Sequence, residues 1–426
     1  MKRKLAAVLL CTAFVLNASA CDAKIKKETP VSADEAKKEV VRITKFPLAV
    51  DYQRGSLNSL EKLNENVGKY NLDLRSYNIE ALDLSGYENK LNNAMFDSKT
   101  KWPAKLPSNF NPQKMLEFHK NPGLGLRKLH VKGITGKGIS IAFIDYSLLV
   151  THEQYYDRVK MYEEVHYAPK EAQLHAPAVA SIAAGKDTGA APEADLYFIG
   201  CENYNIVNKS VEIDFSWFAN AIERIIEINK TLPKEDKIRV LSISAGCQPE
   251  TKGYKEFIEA AKKAVKENIF VATINMIEIY NEKFYFHGLD MDTFSDKDNV
   301  SVYKPTEWKK WLSKVEHIDN LDKYYEKKFN EDKPKELLLI PIDAKTLASP
   351  TGDKDYAFYR EGGWSWTMPY IAGVYALACQ VKPDITPEEF WKNALATGDR
   401  SPIEKENERY IGKIINPEKL ISSLKK

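Results

Sequence analysis

A three-layer, doubly wound α/β fold, with a mostly parallel sheet carrying helices on both faces, is predicted by three observations. Short apolar runs recur from about residue 138 onward. They are apolar almost throughout, without in–out alternation, as strands buried on both faces must be. Between them lie stretches with apolar residues at helical spacing. The chain has 426 residues and is 43% hydrophobic, enough for a large core.

The runs are "ISIAFID" (139–145), "ADLYFIG" (194–200), "VLSISAG" (240–246), "IFVATIN" (269–275) and "ELLLIPID" (336–343), all expected in one sheet. Helices are expected over "HAPAVASIAAG" (175–185), "DFSWFANAIERIIEIN" (214–229) and "YKEFIEAAKKAVKEN" (254–268). The first is rich in alanine and suits burial; the other two are amphipathic near a period of 3.6.

Upstream, "MKRKLAAVLLCTAFVLNASAC" has a basic start, an apolar stretch from Leu5 to Leu16 and small residues before Cys21. That is the pattern of a secretory signal over 1–20. Two processing outcomes follow: lipid attachment at Cys21, or soluble secretion after Ala20. Residues 21–45 are polar and charge-rich, as a solvated tether would be. Residues 46–120, rich in Asn and Leu and with no recognisable repeat, read as a propeptide, an accessory domain or an extension packed on the main one. The main domain is expected over 121–420, interrupted by a charged, aromatic insertion at 281–335.

With 62 Lys and Arg against 60 Asp and Glu, the chain has a net charge of +2 and no strong field for nucleic acid. Cys201, Cys247 and Cys379 are widely spaced, which suggests buried thiols and neither a disulfide framework nor a metal site. "HEQYY" (152–156) places Tyr156 where a zinc motif needs its second histidine. "SISAG" (242–246) ends like a nucleophile elbow, yet Ser242 replaces the first glycine, so Ser244 is a weak nucleophile candidate.

"GGWSWTMPYIAGVYALA" (362–378) presents Ser365 better. Gly362 and Gly363 allow unusual backbone angles before it, and Pro369 is expected in the first turn of a slim buried helix. A serine there is either an N-cap or a hydroxyl placed where helix N–H groups stabilise an anion. Asp145 and Asn275 each end a predicted strand, and His175 opens a predicted helix. Together these four could supply orienter, base, oxyanion donor and nucleophile at one sheet edge.

In that order, Asp145, His175, Asn275 and Ser365 resemble the subtilisin-like serine proteases. "GITGKGISIAFID" resembles the strand leading to the family's aspartate, "HAPAVASIAAG" its HGTHVAGTIAAG, "FVATIN" its VVAAAGN, and "GWSWTMPYIAG" its GTSMAAPHVAG. The resemblance covers roughly 120–400. It implies a peptide-bond hydrolase in which Ser365 attacks the carbonyl, His175 carries the proton, Asp145 orients the imidazole, and Asn275 with the Ser365 N–H receives the oxyanion. Ser244, Ala245 and Gly246 resemble the family's substrate-pairing segment; a purely structural central strand is the other reading.

Tyr146 and Ser147 follow the aspartate, Ala176 the histidine, and Ile274 precedes the asparagine, each adding bulk where the family is smaller. Trp364 and Trp366 flank the serine. These departures leave room for a non-catalytic, peptide-binding or regulatory member. The implied protein is a monomer acting on peptide or protein substrates, reaching a membrane only through lipid at Cys21. No cofactor is required. Calcium sites are common in the family, but no ligands are assignable here; "DMDTFSDKD" (290–298) reads equally as a solvated loop.

Overall fold

Strand β1 (Ser140–Asp145), buried at every position, forms the centre of a five-stranded parallel sheet. With β2 (Val159–His166), β3 (Asp195–Cys201), β4 (Ile238–Ile243) and β5 (Phe270–Thr273), the order is β2-β3-β1-β4-β5. The computed structural model describes residues 45–65, 72–166, 169–306, 337–401 and 412–425. The predicted signal, the expected lipidation site at Cys21 and nearly all of the predicted tether lie outside the described residues, as does the predicted insertion from 307 on.

Helices α1 (His175–Ala184) and α4 (Trp364–Val381) pack together on the sheet, while α2 (Ser216–Thr231) and α3 (Tyr254–Lys266) pack as a second pair. The reason is legible in composition. All of α1 after His175 is buried, and α4 is buried continuously from Trp366 to Cys379, as their alanines allow; α2 and α3 carry charge on one side. The three-layer α/β expectation therefore holds, with helix limits within two residues of those predicted.

One run pairs elsewhere. The "ELLLIPID" segment forms β8 in a second sheet, not in the central one. That sheet contains β6 (Phe286–Met291), β7 (Tyr303–Pro305), β8 (Leu337–Pro341), β11 (Asp399–Arg400) and β12 (Gly412–Ile414), in the order β7-β6-β8-β12-β11. Its partner β6 comes from the predicted insertion, whose first part is thus buried architecture. A continuous apolar run declares burial on two faces but not which strand lies beside it. The fifth place in the central sheet goes to β2, an edge strand whose charged residues (VKMYEEVH) gave no such run.

Segment 46–120 is packed on the main domain. Parallel bridges join Ser56 to Asn78, Asn78 to Lys101, Asp73 to Met95 and Asp83 to Lys105, stacking successive turns 22 or 23 residues apart. Leu57 and Ile79 take equivalent inward positions in this coil, as do Leu74 and Phe96. The repeat escapes a sequence reading because equivalent positions share burial and not residue identity. Strand Phe96–Asp97 then pairs with β10 (Tyr356–Tyr359), which also pairs with β9 (Lys345–Ala348).

Candidate active site

The chain runs from β1 to β3 on one side and to β4 and β5 on the other, so the strand order switches direction beside β1. Ligand sites in open α/β sheets form outside the carboxyl ends at such a point. Asp145 is the last residue of β1, and Ser244 follows β4 directly. Both are nearly buried, at 6% and 8% exposure.

His175 opens α1, and its Nδ1 lies 2.8 and 2.9 Å from the two Asp145 carboxylate oxygens. The Tyr146 N–H also donates to Asp145 Oδ1, at 2.9 Å. An Nδ1–H held by the carboxylate leaves Nε2 as the imidazole's basic nitrogen. The ring lies against the face of Trp366, with centroids 5.4 Å apart and planes 21° from parallel, and meets Tyr146 edge-on at 6.0 Å. Two of the bulky departures thus wall the histidine.

Ser365 is the second residue of α4. Pro369 falls in the second turn, not the first as expected from sequence, and lacks the N–H that would bond the Ser365 carbonyl. The Ser244 hydroxyl supplies the missing donor at 2.8 Å. In return, Ser365 Oγ donates to the Ser244 carbonyl at 3.2 Å. The two serines therefore latch β4 to α4. Ser244→Ala is expected to cost about 1–2 kcal/mol by leaving that carbonyl without its partner; a denaturant midpoint unchanged from wild type would contradict this account of the latch.

The paired glycines also act differently from their sequence reading. Gly363 has ordinary extended angles (φ −139°, ψ −176°), and neither it nor Gly362 has a positive φ. Gly362 is required by space: a Cβ there would sit 1.6 Å from the Ile342 carbonyl oxygen and 2.1 Å from Trp366 Cδ1. Ile342 directly follows β8, so this contact seats the start of α4 on the second sheet. Trp364 meets Phe286 of β6 edge-on at 5.9 Å, adding to the same seam.

Asn275 follows β5 by two residues, and its side chain is committed to Cys247. Its Nδ2 donates to the Cys247 carbonyl at 3.0 Å, and its Oδ1 accepts from the Cys247 N–H at 2.9 Å. The Ala245 carbonyl accepts from Thr273 Oγ1 and from the Ile274 N–H. Gly246 packs so tightly that a Cβ would approach Ile274 Cβ to 2.5 Å. In this structure, then, Asp145 and His175 are joined, Ser365 is bonded to Ser244, and Asn275 is turned to Cys247.

Two residues not singled out from the sequence adjoin this group. Glu202, 1% exposed, ends the run after Cys201, and its Oε1 accepts from Gln173 Nε2 at 2.6 Å. A carboxylate closing an apolar run was the available signal, the same one that marked Asp145. Elsewhere, Asp298 accepts from the Gly125 N–H and from Asn121 Nδ2, tying the acidic loop to the chain before β1. Cys201, Cys247 and Cys379 are buried thiols. Among the described residues, no group of three His, Cys, Asp or Glu side chains is arranged to hold a metal.

No curated protein sequence matches this chain. Among solved structures it is similar to the prenylagaramide maturation protease PagA at 17% identity, over 70% of this chain and 98% of that one, with a TM-score of 0.47. It is similar to a cold-adapted subtilisin-like serine proteinase at 14% identity, over 66% and 89%, with a TM-score of 0.44. It is also similar to the A-subunit of the AB5 toxin from E. coli at 15% identity, over 73% and 99%, with a TM-score of 0.45. The subtilase family model matches residues 136–408, more than half of the chain and all of the central sheet with α4. The protein belongs to the subtilase family.

Proposed function

We propose that this subtilase is an exported serine endopeptidase using Asp145, His175 and Ser365. The observation that carries the reading is the Asp145–His175 pair, set beside the first turn of α4 where Ser365 stands. Ser365 Oγ forms a bond to the scissile carbonyl carbon while His175 Nε2 takes its proton. The same proton passes to the amine nitrogen as the C–N bond breaks. Water, activated by His175, then hydrolyses the ester. The oxyanion is received by the Ser365 N–H, in the first helical turn where N–H groups lack intrahelical partners, and by Asn275.

Two rearrangements go with this chemistry: Ser365 Oγ exchanges the Ser244 carbonyl for His175, and Asn275 Nδ2 exchanges Cys247 for the oxyanion. Those same two contacts favour a second reading, a subtilase fold that binds peptides or regulates another protease without cleaving. Reaction of purified protein with a fluorophosphonate, with the adduct located by peptide mass spectrometry, separates the two. An adduct on Ser365 supports the enzyme; folded protein that forms none, yet binds peptides equally as Ser365→Ala, supports the second.

The exported form is proposed to be anchored through lipid on Cys21, acting as a monomer on peptide or protein substrates without nucleic acid or a required cofactor. Palmitate incorporation in cells, abolished by Cys21→Ser, is the expected result. Incorporation by neither form would leave release after Ala20 in its place.

A further inference from the structure

We infer that Glu202, acting through Gln173, is a positioning residue for the Asp145–His175 pair. Gln173 stands two residues before His175 and is held at both ends. Its N–H donates to the Ser147 carbonyl at 2.9 Å, and its side-chain amide donates to Glu202 at 2.6 Å. Ser147 is two residues past Asp145. The Gln173 backbone therefore ties the approach to the histidine to the exit from the aspartate, and its side chain grips Glu202 as a fixed point.

Glu202 in turn is anchored by the sheet. Asp145 pairs in register with Gly200, two residues before Glu202, and the Glu202 N–H donates to the His166 carbonyl on the opposite neighbour, β2. The carboxyl is thus enclosed at the carboxyl edge between β1 and β2, on the Asp145 side. Burial, with the Asp145 charge adding to it, pushes Glu202 up to about 8; Gln173 and Tyr204 oppose the shift.

Other titratable groups stand on the elements packed around it, among them the Cys201 thiol, pushed up by burial and by Glu202, and Glu163, paired with Arg224 at 2.8 Å. Glu164 of β2 accepts from the Tyr162 hydroxyl at 2.6 Å, and burial raises it. His166 stacks on Trp217 and is lowered by burial, so it brings no positive charge near neutrality. Asp214, beyond the Tyr204–Val207 and Ser210–Ile213 hairpin, pairs with Lys252 at 2.8 Å. Glu202 is therefore mainly neutral near pH 7 and becomes an anion as pH rises through about 8.

The catalytic consequence rests on the hydrolase reading above, and the test separates the two. His175 is followed by NMR of ¹³Cε1-histidine protein from pH 5 to 10, assigned with His175→Ala, in wild type, Glu202→Gln and Glu202→Ala. Wild type is expected to show a narrow His175 line, the ring being held in one setting. Glu202→Gln keeps an acceptor for Gln173 and should keep the His175 line narrow, whereas Glu202→Ala should broaden it. A His175 line as narrow in Glu202→Ala as in wild type overturns the inference.

Should Glu202→Ala not fold, Gln173→Leu, which removes the amide that Glu202 accepts from, decides: a broadened His175 line upholds the inference, and one as narrow as in wild type overturns it. Fluorophosphonate labelling across the same pH range reads the enzyme separately. Wild type that never labels removes the hydrolase reading and leaves the NMR result standing.

Discussion

Fluorophosphonate labelling of the purified protein is expected on Ser365 and nowhere else, with His175→Ala reacting more slowly by on the order of 10⁴-fold or more. The expectation follows from the geometry around the imidazole. Asp145 accepts from Nδ1 at 2.8 and 2.9 Å, and Trp366 and Tyr146 confine the ring, so its tautomer and orientation are set before substrate arrives. The serine has only to turn from the Ser244 carbonyl, a neutral hydrogen bond of 3.2 Å. Such a bond is worth about 0.5–1.5 kcal/mol net, small beside the stabilisation an activated nucleophile gains. Equal labelling of wild type and His175→Ala would mean that the histidine is not the base.

Gly362→Ala is expected to be the most damaging small substitution near the site, costing more than about 3 kcal/mol and abolishing labelling. A methyl group 1.6 Å from the Ile342 carbonyl oxygen cannot be relieved by a rotamer change, because the obstacle is backbone of the second sheet. Relief requires α4 to move off that sheet, and with it Ser365 and the Trp366 face that supports His175. Gly363→Ala, at ordinary extended angles, is expected to keep most of the stability. A thermal melt comparing the two variants checks both claims; equal midpoints would show that the seam between α4 and Ile342 is softer than its geometry implies.

The same two glycines show how far the sequence carries. That small residues must precede Ser365 was legible from "GGWSW"; that one is needed for space and the other is unconstrained by its backbone angles depends on where β8 ends. The latch between Ser244 and Ser365 was likewise hidden, because it joins residues 121 apart and answers a donor missing at Pro369.

Local chemistry announced much of this protein: apolar runs buried on both faces, helix phases, an aspartate closing a strand, a histidine opening a helix, a serine before a small-residue helix. These are properties of neighbours along the chain, and hydrophobic periodicity records them directly. Which strands lie side by side is different. The transfer of residues 337–341 to a second sheet, the stacking of the Asn- and Leu-rich segment into 22-residue turns, and the grip of Glu202 on Gln173 all arise from contacts between distant residues. Side-chain types permit many such pairings, and only the packing of the whole chain selects among them.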